Sequence, residues 1–170
     1  RARAAGSLDV LGNRTQVLPV LEDLARVIER IHAARNIRIE TACGEDAHFR
    51  GERQDLEEML GNLIDNACKW ASAKITVHGR IDKDKAQAVV AVEDDGPGLP
   101  AGREDALFEK FVRGHAESPI AGVGLGLAIC RAIIDAHGGS IQAHNRGNGG
   151  AVFSFMLPLE QNPPTVEPEV

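Results

Sequence analysis

Two β-branched runs, Lys74 to Arg80 and Gln87 to Glu93, are separated only by the charged stretch Ile81 to Ala86. So short a connection turns the chain back beside itself, and the two runs form an antiparallel hairpin. Ser140 to Asn145 and Ala151 to Leu157 make a second hairpin around the Gly-rich turn Arg146 to Gly150. Helices and strands therefore do not alternate singly, which favours an α+β sandwich with helices layered on one sheet face over a doubly wound parallel sheet.

Three helices supply that layer. Val17, Val20, Leu21, Leu24, Val27, Ile28 and Ile31 recur at three- and four-residue spacing and predict a helix from about Gln16 to Ala34, with Pro19 tolerable in its first turn. A second helix runs from about Arg53 to Trp70 on an apolar face of Leu56, Met59, Leu60, Leu63, Ile64 and Ala67. The third, Leu125 to His137, is apolar on most sides, stops at Gly138-Gly139 and is expected to be deeply buried. Short strands are expected at Ile37 to Thr41 and Ala47 to Phe49, and a short helical piece at Ala106 to Val112 before a flexible polar segment, Gly114 to Gly122.

Composition narrows the function. The 170 residues make about one domain, and 43% hydrophobic side chains enclose a core without disulfides or metal. A net charge of −6 disfavours a general grip on nucleic acid or on an anionic membrane, and 4% aromatics without tyrosine leave few stacking platforms. Cys43, Cys68 and Cys130 form no C-x-x-C pair and are read as small buried hydrophobes in a reducing compartment. The uncharged run Ser118 to Cys130 is too short and Gly-rich to span a bilayer. The six histidines lack metal-ligand spacing and are read as surface or packing residues.

Three features carry the chemistry. On the second helix, Glu58, Asn62, Asp65, Asn66 and Lys69 fall within one narrow polar stripe opposite the apolar face. Such a stripe is often merely solvated, but asparagine is a poor helix former, and its amide oxygen suits Mg²⁺ while a neighbouring lysine suits phosphate. Second, Asp94-Asp95-Gly96-Pro97-Gly98 follows a strand directly, either as an ordinary tight turn or as part of a site. Third, Gly122-Val123-Gly124-Leu125-Gly126-Leu127 opens a helix, either as a hinge or as a backbone that phosphate can approach. No G-x-x-x-x-G-K-[ST] loop, G-x-S-x-G elbow or H-E-x-x-H pair is present.

In this order the three features resemble the nucleotide-binding catalytic domain of bacterial sensor histidine kinases, within the GHKL superfamily that also includes gyrase, Hsp90 and MutL. Asn62 to Lys69 is similar to the family's Asn box, Asp94 to Gly98 to its first Gly box, Leu107-Phe108-Glu109-Lys110-Phe111 to its Phe box and Gly122 to Leu127 to its second Gly box. The resemblance covers about Thr15 to Pro158, and the Asn and first Gly boxes are closest to the PhoQ and EnvZ type. The segment Phe111 to Gly114 and the lid that follows are closer to EnvZ or KdpD.

The resemblance implies the Bergerat fold, a two-layer α/β sandwich with a mixed, mostly antiparallel sheet of about five strands and three main helices on one face. It implies ATP and Mg²⁺ as ligands. Asp94 would accept the adenine exocyclic N–H, which guanine cannot offer, and Gly96 and Gly98 would let the loop pass the base. Asn66 would hold Mg²⁺, with Asn62 and Glu58 as further metal candidates. Asn62 and Lys69 would reach the phosphates, and Lys110 and Arg113 would add positive charge near the γ-phosphate. Gly122, Gly124 and Gly126, with Val123, Leu125 and Leu127 between them, would hinge a lid at Gly114 to Ala121. Trp70 would pack beside the nucleotide or serve the core. Glu58, Asn62 and Lys69 form the catalytic set, with Glu58 orienting an incoming histidine imidazole.

The family's phosphoacceptor motif, H-[ED]-x-[RK]-x-P, is absent from this sequence. The expected partners are therefore a histidine-bearing helical dimerisation domain upstream in the same parent chain and a response regulator, the parent protein being a homodimer. Residues 1–14 are expected to be linker from that upstream domain, 15–158 the catalytic domain and 159–170 a flexible tail. The fragment itself is expected to be cytoplasmic without membrane contact, in a parent that is an inner-membrane sensor. The alternatives are a GHKL ATPase or anti-sigma-type Ser/Thr kinase, and a nucleotide-sensing module without catalysis.

Overall fold

The computed structural model describes residues 14–102, 104–109 and 126–158. In chain order these form β1 (Arg14–Gln16), α1 (Val17–Ile31), a 3₁₀ turn (Ala33–Arg35), β2 (Arg38–Cys43), β3 (His48–Arg50) and α2 (Arg53–Trp70). There follow β4 (Lys74–Asp82), β5 (Gln87–Asp94), a second 3₁₀ turn (Asp105–Phe108), α3 (Gly126–Ala136), β6 (Ser140–Asn145) and β7 (Ala151–Pro158). Five strands form one sheet in the order β2-β4-β5-β7-β6, parallel at β2–β4 and antiparallel elsewhere. The expected sandwich is the one observed, with α1, α2 and α3 packed as a layer against the sheet.

Alternation places Ile75 and Val77 of β4, Val90 and Val92 of β5, and Phe153 and Phe155 of β7 on the helix-facing side, all buried. Against them α2 presents Leu56, Met59, Leu60, Leu63, Ile64 and Ala67, also buried, so this helix is the centre of the core. Truncating any of its large side chains to Ala is worth about 2–5 kcal/mol. The end of α2 is held by Arg35, whose guanidinium donates to the carbonyls of Cys68 and of Ala71, the latter at 2.6 Å. Those carbonyls at the end of α2 thereby gain a charged donor.

Several expectations change. A three-residue β1, unread in the sequence, pairs antiparallel with β3 in a separate two-stranded sheet, so the strand read at 47–49 does not extend the main sheet. Helix α1 ends at Ile31, and Val27 and Ile31, read as part of its buried stripe, are 54% and 68% exposed, the buried face being the narrower set Val17, Val20, Leu21, Ala25 and Ile28. Helix α3 is not deeply buried: only Cys130 and Ile134 are, and Ile129 is 40% exposed, because the helix covers one edge of the layer and packs from one side. The short helical piece expected from Ala106 is a 3₁₀ turn that begins one residue earlier and ends at Phe108, and residues 110–112 of that expectation lie outside the described residues. Cys68 and Cys130 are buried with their thiol pKa pushed up to about 12 by desolvation, whereas Cys43 is only partly buried. Among the described residues no helix is long and apolar enough to cross a membrane.

Candidate functional site

Strand β5 ends at Asp94, opposite Ile75 of β4, and the turn that follows runs across to the C-terminal end of α2. A Cβ added to Gly96 would lie 2.2 Å from the backbone oxygen of Trp70. Gly98 takes φ +87° with the Asn145 carboxamide oxygen 2.7 Å from where its Cβ would be. Both glycines are thus explained by the protein's own close contacts, a different reason from passage beside a base. Asn145 also brackets Leu99, accepting from its N–H at 2.6 Å and donating to its carbonyl at 3.1 Å.

Asp94 is 2% exposed. Its Oδ1 accepts the N–H of Gly96 at 2.9 Å and of Ala151 at 3.4 Å, and Arg146 donates to its backbone carbonyl at 3.0 Å. Burial pushes the carboxyl pKa up, partly countered by those two N–H groups and by Arg146. The result is a fixed acceptor whose orientation is set before any ligand arrives.

Asp95 has a different task. Its carboxylate spans the start of β4, accepting the N–H groups of Ser72 at 2.8 Å, Ala73 at 3.1 Å and Lys74 at 3.1 Å. Desolvation opposes ionisation there, but the three donors outweigh it and hold the carboxyl below its ordinary range. The contribution of this staple is therefore complete above the ordinary carboxylate pKa and is lost as pH falls through the lowered value.

On α2, Asn62, Asn66, Lys69 and Trp70 are half-buried and Glu58 is exposed one turn earlier. The Asn62 amide oxygen lies 3.4 Å from where a Cβ on Gly126 would stand, so the stripe faces the first described turn of α3, where Leu127 is half-buried. Lys69 is engaged within the protein, its Nζ 3.5 Å from Oδ2 of Asp65. Leu107 and Phe108 are buried, with the Phe108 ring edge-on to Phe153 at 6.0 Å, so the start of the Phe box anchors the core. Lys110, Phe111, Arg113, the lid at 114–121, Gly122, Val123, Gly124 and Leu125 lie outside the described residues.

The structure thus places Asp94 with Gly96 at the C-terminal end of α2, and Asn62 beside Gly126 two turns earlier on the same helix. Arg146, Asn145 and Gly150 escaped the sequence reading. Their contribution is to backbone and carboxylate groups about fifty residues away, and the β6–β7 turn carries only a generic Gly-rich signal. Among the described residues no three His, Cys, Asp or Glu side chains cluster as a metal site.

The profile of the family described as histidine kinase-, DNA gyrase B-, and HSP90-like ATPase matches residues 51–161, more than half of the chain. Sensor protein KdpD of Escherichia coli is 50% identical over 109 residues, covering 63% of this chain and 12% of that protein. The virulence sensor histidine kinase PhoQ of Salmonella typhimurium is 32% identical over 166 residues, covering 95% of this chain and 33% of that protein. The chain thus spans a third or less of the length of these curated relatives. Among solved structures, the catalytic domain of histidine kinase ThkA superposes with a TM-score of 0.74 at 29% identity, over 86% of this chain and 94% of that one. With this match over more than half of its length and this fold, the chain belongs to the histidine kinase-, DNA gyrase B-, and HSP90-like ATPase family, as a catalytic domain of the sensor histidine kinases.

Proposed function

We propose that this domain binds ATP with Mg²⁺ and transfers the γ-phosphoryl group to a histidine on a helical dimerisation domain of a homodimeric, membrane-anchored parent protein, from which a response regulator receives it. The observation that carries this reading is Asp94, a nearly inaccessible carboxylate with Oδ1 held by two backbone N–H groups. That arrangement suits the exocyclic amine of adenine, a donor, and opposes the carbonyl of guanine. The carboxamides of Asn62 and Asn66 supply hard oxygen donors, which suit Mg²⁺ arriving with the phosphates it neutralises. Asn66 would ligate it first, with Asn62 and Glu58 near.

Lys69 would meet the phosphate oxygens, joined by Lys110 and Arg113, with the glycine run Gly122 to Gly126 as the hinge of a cover and Trp70 beside the nucleotide. In the transfer, a lone pair on one imidazole nitrogen attacks the γ-phosphorus, the bond from that phosphorus to the β–γ bridging oxygen breaks, and ADP leaves with that electron pair. Exposed Glu58, on the same helix face as Asn62, accepts the N–H of the other ring nitrogen and orients the ring.

The test supplies a purified helical domain bearing the histidine and follows acid-labile phosphate on it. Glu58→Gln is expected to lower transfer by about 10- to 100-fold, in the range of positioned acid–base groups, with ATP affinity nearly unchanged. Equal losses in binding and transfer would reject this role for Glu58. ATP turnover with no phosphohistidine on any cognate acceptor would favour a plain ATPase, and binding with neither would favour a nucleotide sensor.

A further inference from the structure

The two oxygens of Asp65 serve different elements. Oδ1 is 2.8 Å from Nε2 of His32, the residue that closes α1, and Oδ2 is 3.5 Å from Nζ of Lys69, one turn further along α2. An exposed Asp–Lys pair at this spacing is normally loose, because neither side chain is fixed. Here the carboxylate is pinned from a second helix through a part-buried bond. The 3₁₀ turn that follows α1 also supplies Arg35, which grips the carbonyls of Cys68 and Ala71, so the C-terminal part of α2 is tied to the segment after α1 by both His32 and Arg35.

We propose that Asp65, oriented by His32, is a positioning residue that parks the Lys69 ammonium away from the phosphates until a polyphosphate draws it off. This rests on the nucleotide reading above. Its signature is a pair of graded effects in the same direction. Asp65→Asn keeps the shape and an acceptor for His32 but removes the competing charge, so Mg²⁺–ATP should bind about two- to fivefold more tightly, the size of an exposed ion pair. His32→Phe removes the pin and loosens the Asp65–Lys69 pair without removing its charge, so Mg²⁺–ATP should bind more tightly too, by about twofold or less and never beyond the gain from Asp65→Asn. Adenosine, which has no phosphate, should be unaffected by either change.

The experiment is a calorimetric double-mutant cycle on the purified chain, with Asp65→Asn and His32→Phe each made alone and together with Lys69→Gln, and with Asp94→Asn as a reference. The effects of both substitutions should vanish when Lys69 is Gln. Persistence of the Asp65→Asn gain without the lysine would mean a general field effect and would overturn the proposal. So would parallel losses for ATP and adenosine, which mark mere loosening of the helix. If the unaltered chain takes up no ATP, the nucleotide reading fails and this proposal fails with it. If it takes up ATP in an Asp94-dependent way but shows no coupling between Asp65 and Lys69, only this proposal fails.

Discussion

Replacing Asp94 by Asn is expected to weaken ATP binding by about 10- to 150-fold while leaving the thermal midpoint unchanged or slightly raised. The loss follows from donors and acceptors. The carboxamide oxygen introduced by Asp94→Asn can still accept the N–H groups of Gly96 and Ala151 that Oδ1 now accepts, so the turn keeps its shape. The new NH₂ then points where the carboxylate would meet the adenine amine, and donor faces donor. A hydrogen bond to a charged group is worth about 1.5–3 kcal/mol, which converts to that range of affinity. Stability holds because burial already raises the Asp94 pKa. An acid with a raised folded-state pKa destabilises the fold once ionised, and a neutral amide removes that penalty. Calorimetry paired with thermal unfolding separates the two quantities, and an unchanged affinity would remove Asp94 from the site.

Gly150→Ala is expected to lower stability by about 2–5 kcal/mol. Gly150 sits at φ +90°, where an L-residue costs about 1–2 kcal/mol. An added Cβ would also lie 1.9 Å from the Asp94 carbonyl oxygen, backbone that cannot yield as a side-chain tip can, adding about 1–3 kcal/mol of overpacking. For a chain of this size the midpoint should fall by roughly 5–20 °C, read by circular dichroism. The atom displaced belongs to the recognising residue, so ATP affinity should fall as well. Gly147, in the same turn with open space around it, is the control: Gly147→Ala should move the midpoint by little.

How much of this was legible beforehand depended on whether a segment's structure is dictated by its own side chains. Helix α2 was read from Arg53 to Trp70 as observed, since its apolar periodicity and its burial coincide. The two main hairpins were equally plain, because alternation and turn chemistry agree. Strand β1 was invisible: Arg14-Thr15-Gln16 has no apolar alternation, and beside its ladder with β3 the Thr15 and Gln16 side chains donate to the backbone carbonyls of Gly51 and Glu45. Val27 and Ile31 fit the period of α1 yet stay exposed, because periodicity identifies a face without saying how far its neighbours extend. At the site, residue types marked the polar stripe and the acidic turn. What supports them was hidden, since Arg146, Asn145 and Asp95 act through hydrogen bonds to backbone N–H and C=O groups, which have no letter in a sequence.

The most direct measurement titrates ATP and GTP, each with Mg²⁺, onto the purified chain by calorimetry. One ATP should bind per chain, with GTP at least about tenfold weaker, the discrimination that one mismatched hydrogen bond to a charged acceptor supplies. Heat-silent mixing with both nucleotides, or equal affinity for the two, would contradict adenine recognition by the Asp94 carboxylate.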